Sequence, residues 1–194
     1  MCSGPRRGNQ FTYALLDERV PPHAALDREE ALASLAHRFF SSRGPATVQD
    51  FAKWSGMTAA DAKQGLEAVK ERLDAETADG KTHWFALSTK RTAKQRAPTA
   101  HLLSIYDEYV SGYKDRSAIV SARNGARLMA MGNALTSIVV VNGQITGTWK
   151  RRVERGTAVI TIELFDRLTK AEHRALEAAV QAYGDFLGMP AGQE

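Results

Sequence analysis

Between His37 and Val69 the apolar positions fall into three short helical stripes separated by two breaks. Phe39 and Phe40 close the first stripe, and Gly44-Pro45 end it. Val48, Phe51, Ala52 and Trp54 share one face of the second; after Ser55-Gly56, the residues Leu66, Val69 and Leu73 carry the third. Thr47 and Thr58 stand where a hydroxyl accepts a first-turn backbone N–H. Upstream, Asp27 is placed to cap a helix over about 28–42 with Leu32, Leu35, Ala36 and Phe39 on one side. Downstream, Asp79-Gly80 marks a tight turn between two short extended segments. Three helices followed by a hairpin predict a winged helix over 27–88, whose helix-turn-helix places its last helix, about 58–73, for a DNA major groove.

The pattern changes on either side of this unit. Residues 1–22 read as an isolated strand around Gln10–Leu16 ended by Pro21-Pro22, the remnant of a preceding winged helix rather than the start of a core. Residues 89–99, TKRTAKQRAPT, read as a basic linker. Over 100–188 the period becomes two: Ile138–Val141 and Gln144–Trp149 flank the hairpin signal Asn142-Gly143, and Val159–Phe165 forms a third strand. Thr169 then caps a helix to about Leu187, ended by Gly188 and Pro190. The fold class predicted is α+β: a winged helix followed by a small antiparallel β-barrel-like domain with a C-terminal helix.

Composition narrows the function classes. The 194 residues are 43% hydrophobic and 25% charged, as in ordinary globular chains. A single cysteine, Cys2, excludes an internal disulfide and a thiolate metal cluster, and suggests a reducing cytoplasmic setting, which a DNA partner would narrow to the nucleoid. No apolar run approaches the roughly 20 residues of a membrane span. The net charge of +4 fits a nucleic-acid partner, and its distribution says more than its size. Candidate DNA contacts are Arg6 and Arg7; Lys90, Arg91, Lys94 and Arg96 in the linker; Lys114 and Arg116; and Lys150, Arg151 and Arg152. The third helix of the winged helix is nearly neutral, with Asp61, Glu67 and Glu71 against Lys63, Lys70 and Arg72, so base reading by that helix and simple packing stand as two readings.

Tyr106-Asp107-Glu108-Tyr109, followed by Lys114-Asp115-Arg116-Ser117, is rich in polar and titratable side chains. Paired carboxylates beside tyrosines can carry acid–base work; the same residues can instead be salt-bridged turn residues at the mouth of the β domain. The five histidines have no ligand spacing, and no phosphate-loop, dinucleotide or serine-nucleophile motif is present, so no cofactor and no metal are expected.

The segments CSGPRRGNQFTYALLDERVP, SSRGPATVQDFAKWSGMTAADAKQGLE, LLSIYDEYVSGYKDRSA, VVNGQITGTWKRR and YGDFLG, in this order, resemble the winged-helix DNA-binding family that includes the bacterial AlkZ and YcaQ glycosylases. The resemblance implies tandem winged helices followed by a β-barrel domain, with residues 1–22 as the tail of an earlier winged helix. It also implies hydrolysis of the glycosidic bond of alkylated or crosslinked bases, through a Gln-x-Gln or Gln-x-Asp motif near the family's N-terminus. Gln10, Gln49 and Gln64 have no partner at that spacing. The expectation is therefore a chain that binds duplex DNA, damaged or distorted, without glycosylase activity of its own. The alternatives are a winged-helix transcriptional regulator that reads a defined site, and a protein-interaction module that uses the winged helix for packing.

Overall fold

The computed structural model describes residues 1–22, 24–87, 97–130 and 137–194. At its start β1 (Cys2–Ser3) and β2 (Tyr13–Ala14) pair antiparallel, Cys2 opposite Ala14, and α1 (Leu16–Arg19) follows directly. The strand expected over 10–16 is thus shorter, and its partner lies within the chain. Thr12 holds the ribbon closed by donating its hydroxyl to the Pro5 carbonyl at 2.5 Å. Phe11, Tyr13, Leu15 and Leu16 remain exposed along it.

Capping chemistry then sets three helices. Asp27 accepts from the Glu30 N–H, Glu30 reaches back to the Asp27 N–H, and this reciprocal box opens α2 (Arg28–Arg43). A second box, Thr47 with Asp50, opens α3 (Val48–Ser55), which ends at left-handed Gly56. Thr58 caps α4 (Ala59–Glu67). This last helix stops short of the predicted end: after a 3-10 turn at Lys70–Arg72, Leu73 enters β3 (Leu73–Ala78), which pairs with β4 (Lys81–Ala86) across Asp79-Gly80. Both turn residues have positive φ, 49° and 72°, the geometry that matches the twist of a two-residue hairpin. The core beneath is aromatic: the Phe51 ring lies 5.1 Å from Phe39 and 5.6 Å from Phe40, and Trp54 packs on Phe39. Where α4 crosses α2 the approach is close at Gly65, because a Cβ there would stand 3.0 Å from the Leu32 carbonyl oxygen and the helices would have to give by a few tenths of an ångström.

The second half is a five-stranded sheet with helices on both faces. β5 (Ala100–Leu103) leads through α5 (Glu108–Ser111) and α6 (Ala122–Ala130) to β6 (Ile138–Val141), β7 (Gln144–Glu154) and β8 (Thr157–Leu164). α7 (Lys170–Leu187) follows its Thr169–Glu172 capping box, and β9 (Ala191–Gln193) ends the sheet, whose order is β5-β6-β7-β8-β9. The run Ile138–Val141 is apolar throughout because both its faces are covered. Val139 and Val141 pack with Leu176 and Val180 of α7, whereas Ile138 and Val140 pack with Val110 of α5 and Leu128 of α6. The Asn142-Gly143 turn joins β6 to β7; the Asn142 side chain accepts from the Thr99 N–H and donates to Glu172.

The sheet departs from the expected antiparallel barrel at its far edge. β8 and β9 pair parallel, because α7 carries the chain over one face and returns it in the same direction. The two outer strands, β5 and β9, leave an open sheet.

Candidate nucleic-acid interface

The segment between β5 and α6 is where the helical half meets the sheet half, and its side chains do the joining. The Asp50 carboxylate, 4% exposed, accepts from the Thr47 N–H and hydroxyl through Oδ2 and from the Lys114 N–H through Oδ1, at 2.7–2.8 Å. It therefore opens α3 and anchors a loop 64 residues away in the chain. Tyr113 inserts into the aromatic core of the helical half, donates its hydroxyl to the Arg43 carbonyl at 2.8 Å and accepts at its own carbonyl from Lys53 at 2.7 Å. Burial pushes the Tyr113 phenol above its ordinary value. Arg43 pairs with Glu108 and lies 4.6 Å over the Trp54 ring, and its hydrogen bond holds the Glu108 carboxyl below the usual range.

These contacts explain the cluster at Tyr106–Tyr109. Asp107 caps α5 through the Tyr109 N–H, Glu108 bridges to Arg43, and the Tyr109 hydroxyl donates to the Gly143 carbonyl at 2.8 Å. Tyr106 is 67% exposed, with φ 67°. A cleft of about 400 Å³ lies along the seam beside Tyr109, Tyr113 and His83.

The β3–β4 hairpin joins the same seam. Lys81, next to its turn, pairs with Asp115, whose carboxyl is held far below the usual carboxylate range by Lys81 first and by Ser117 second. Because the folded value lies below the unfolded one of about 3.9, the pair stabilises the fold above that pH and loses its contribution as pH falls further. The difference in melting temperature between the parent and Asp115→Asn is thus expected to be full at pH 7 and to shrink steadily below about pH 4. An equal difference at pH 7 and pH 3 contradicts this assignment.

The candidate contacts are distributed over several places. Arg6 and Arg7 are exposed at the turn of the β1–β2 ribbon, with Arg6 4.6 Å over the Phe11 ring. Lys90, Arg91, Lys94 and Arg96 lie outside the described residues. Lys114 is exposed beside α3, and Arg116 is half-buried with its Nε donating to the Val110 carbonyl at 2.8 Å. On β7 the three basic residues alternate faces. Arg151 donates to the Tyr183 hydroxyl at 3.0 Å, and Arg152 is neutralised by Glu154 and Glu194. Sequence reading missed Lys53 and Lys81, since their partners lie 60 and 34 residues further on.

On α4, Asp61 is paired with Arg28 and Glu67 with Lys70. Both carboxylates of α4 are thereby occupied, and Lys63 stands exposed on the same helix. Among the described residues, no group of three histidine, cysteine or carboxylate side chains is placed to hold a metal, and no helix is long and apolar enough to cross a membrane.

Three comparisons bear on this architecture. A curated relative from Streptomyces sahachiroi, an interstrand DNA cross-link repair glycosylase, is 22% identical over 159 residues, 77% of this chain and 43% of the relative. The solved structure of the Streptomyces sahachiroi DNA glycosylase AlkZ superposes with a TM-score of 0.73 at 20% identity, covering 100% of this chain and 54% of that one. The chain thus spans about half the length of the proteins it matches. The family model described as DNA glycosylase AlkZ-like matches residues 1–186, and the chain belongs to that family.

Proposed function

We propose that this chain binds duplex DNA as the non-catalytic part of an AlkZ-like glycosylase system, with alkylated or crosslinked duplex as its preferred ligand. In this reading α2–α4 and the β3–β4 hairpin are a winged helix, residues 1–22 belong to a second one, and the sheet half is a separate domain. The observation that carries the reading is the gathering of Lys53, Lys114 and Arg116 beside the starts of α3 and α4. On α4 the carboxylates are occupied by Arg28 and Lys70 and Lys63 is left exposed, a small positive surplus that supports a grip on the backbone over base reading by that helix. The Lys81–Asp115 pair fastens the hairpin to the other half, so the hairpin is not a free wing.

Catalysis is not assigned to this chain. Its seven glutamines include no Gln-x-Gln or Gln-x-Asp spacing, and a glycosylase needs groups that position water and stabilise a positively charged sugar. The protein incubated with alkylated duplex is expected to leave no abasic sites; their accumulation contradicts the assignment.

Fluorescence anisotropy with a labelled duplex tests binding itself. Affinity is expected to fall by orders of magnitude between about 50 and 200 mM salt, with tighter binding to alkylated than to intact duplex. A second reading, a protein-interaction module, is favoured by the exposed row Phe11, Tyr13, Leu15 and Leu16. That reading gives no duplex binding even at low salt, which decides between the two. A sequence-selective site with no preference for damage points instead to a regulator.

A further inference from the structure

Two hollows meet at Lys114. One, of about 640 Å³, lies between the start of α3 and the loop after α5, and is lined by Thr47, Gln49, Lys81 and Arg116 among others. The second, of about 410 Å³, runs from Gln49 past Ala52 and Lys53 to Met57 and Ala59, where α4 begins. They share Gln49 and Lys114, so together they form one trough along the helix-turn-helix.

The charges around this trough do not cancel. Lys81 and Asp115 neutralise each other, and the buried Asp50 carboxylate, which accepts from Thr47 and from the Lys114 backbone N–H, adds one negative charge. Against it stand Lys53, Lys114 and Arg116, so the lining keeps a surplus of positive charge. The Lys114 ammonium and the Gln49 amide have no partner among the described residues. Burial first and the nearby Arg116 second push the Lys53 ammonium below its ordinary value, with the Asp50 carboxylate opposing them. The start of α3 adds first-turn N–H groups, which an α-helix leaves without intrahelical partners.

We propose that this trough seats consecutive backbone phosphates of duplex DNA, with Lys114 at its centre and cations supplied from both halves of the molecule. The proposal rests on the duplex-binding reading and makes it specific. The backbone would pass from the start of α4 over the start of α3 to the turn of the hairpin, where Lys81 stands. The seam would then be part of the DNA surface, and binding would require the two halves to stay joined.

Lys114→Gln and Gln49→Glu test this, compared with the parent by anisotropy across a range of salt. Lys114→Gln is expected to weaken binding about three- to tenfold near 0.1 M salt and to reduce the slope of log K against log salt by about one. Gln49→Glu puts a carboxylate in the trough at a helix start that favours negative charge, so the melting temperature should hold or rise while affinity falls about tenfold. That opposite movement separates a lost contact from a damaged fold. Duplex binding by the parent with unchanged affinity and slope in both variants overturns the trough and leaves the function reading standing. No duplex binding by the parent at any salt overturns both.

Discussion

Replacing Asp50 with alanine is expected to destabilise the protein by about 3 kcal/mol, more than most polar substitutions, because one carboxylate satisfies groups in both halves. Its removal strands the Thr47 N–H and hydroxyl at the start of α3, and the Lys114 N–H across the seam, at a site that is 4% exposed. The carboxylate's half of the capping box would be lost together with the tether, each in the range of about 1–2 kcal/mol, while the Thr47 hydroxyl still accepts from the backbone N–H of residue 50. Asp50→Asn keeps the shape and one acceptor oxygen, so it should recover part of the loss. Denaturant unfolding gives the magnitude, and hydrogen exchange gives the mechanism. The amides of Thr47 and Lys114 should both lose protection in Asp50→Ala. Protection retained at Lys114 with a lowered midpoint shows that the carboxylate serves the helix cap alone.

Phe51→Ala is expected to cost about 3–5 kcal/mol, the range for emptying a large aromatic site in a packed core. Phe51 is fully buried, and its ring packs against Phe39 and Phe40 of α2, so its removal opens the contact between α3 and α2. The same core receives Tyr113 from the other half, so the seam should loosen as well. A urea midpoint close to that of the parent overturns this account of the core. An intermediate plateau, with the sheet half still folded, is consistent with the two halves unfolding in separate steps.

What the sequence discloses depends on how far apart the interacting residues lie. The helix starts at Asp27, Thr47, Thr58 and Thr169 were legible because each cap is settled within three residues. The turns at Asp79-Gly80 and Asn142-Gly143 were legible for the same reason. β5, β9, α5 and α6 were not. Three or four residues such as Ala191–Gln193 carry no period, and their pairing is decided by where α7 returns the chain. The ribbon at Cys2–Ser3 escaped notice because two-residue strands leave no alternation.

The candidate site was legible in its residue types and illegible in its bookkeeping of charge. Lys114 and Arg116 were singled out by clustering, yet Arg152 clustered equally well and is neutralised by Glu154 and Glu194. Asp50 was visible as a first-turn carboxylate, but its bond to Lys114 spans 64 residues. No local pattern encodes such a pair, because its geometry exists only after both halves have folded.

The Asn142-Gly143 turn also sets a chemical clock. An asparagine followed by glycine is the sequence in which the next backbone nitrogen most readily attacks the side-chain amide, and hydrolysis then leaves an acid. Here that amide is held at both ends, accepting from Thr99 and donating to Glu172 at 2.9 Å. Folding thus restrains the group that would react. Once converted, the new carboxylate would face Glu172 with like charge, so a single ageing event would turn the bond between the sheet and the start of α7 into a repulsion.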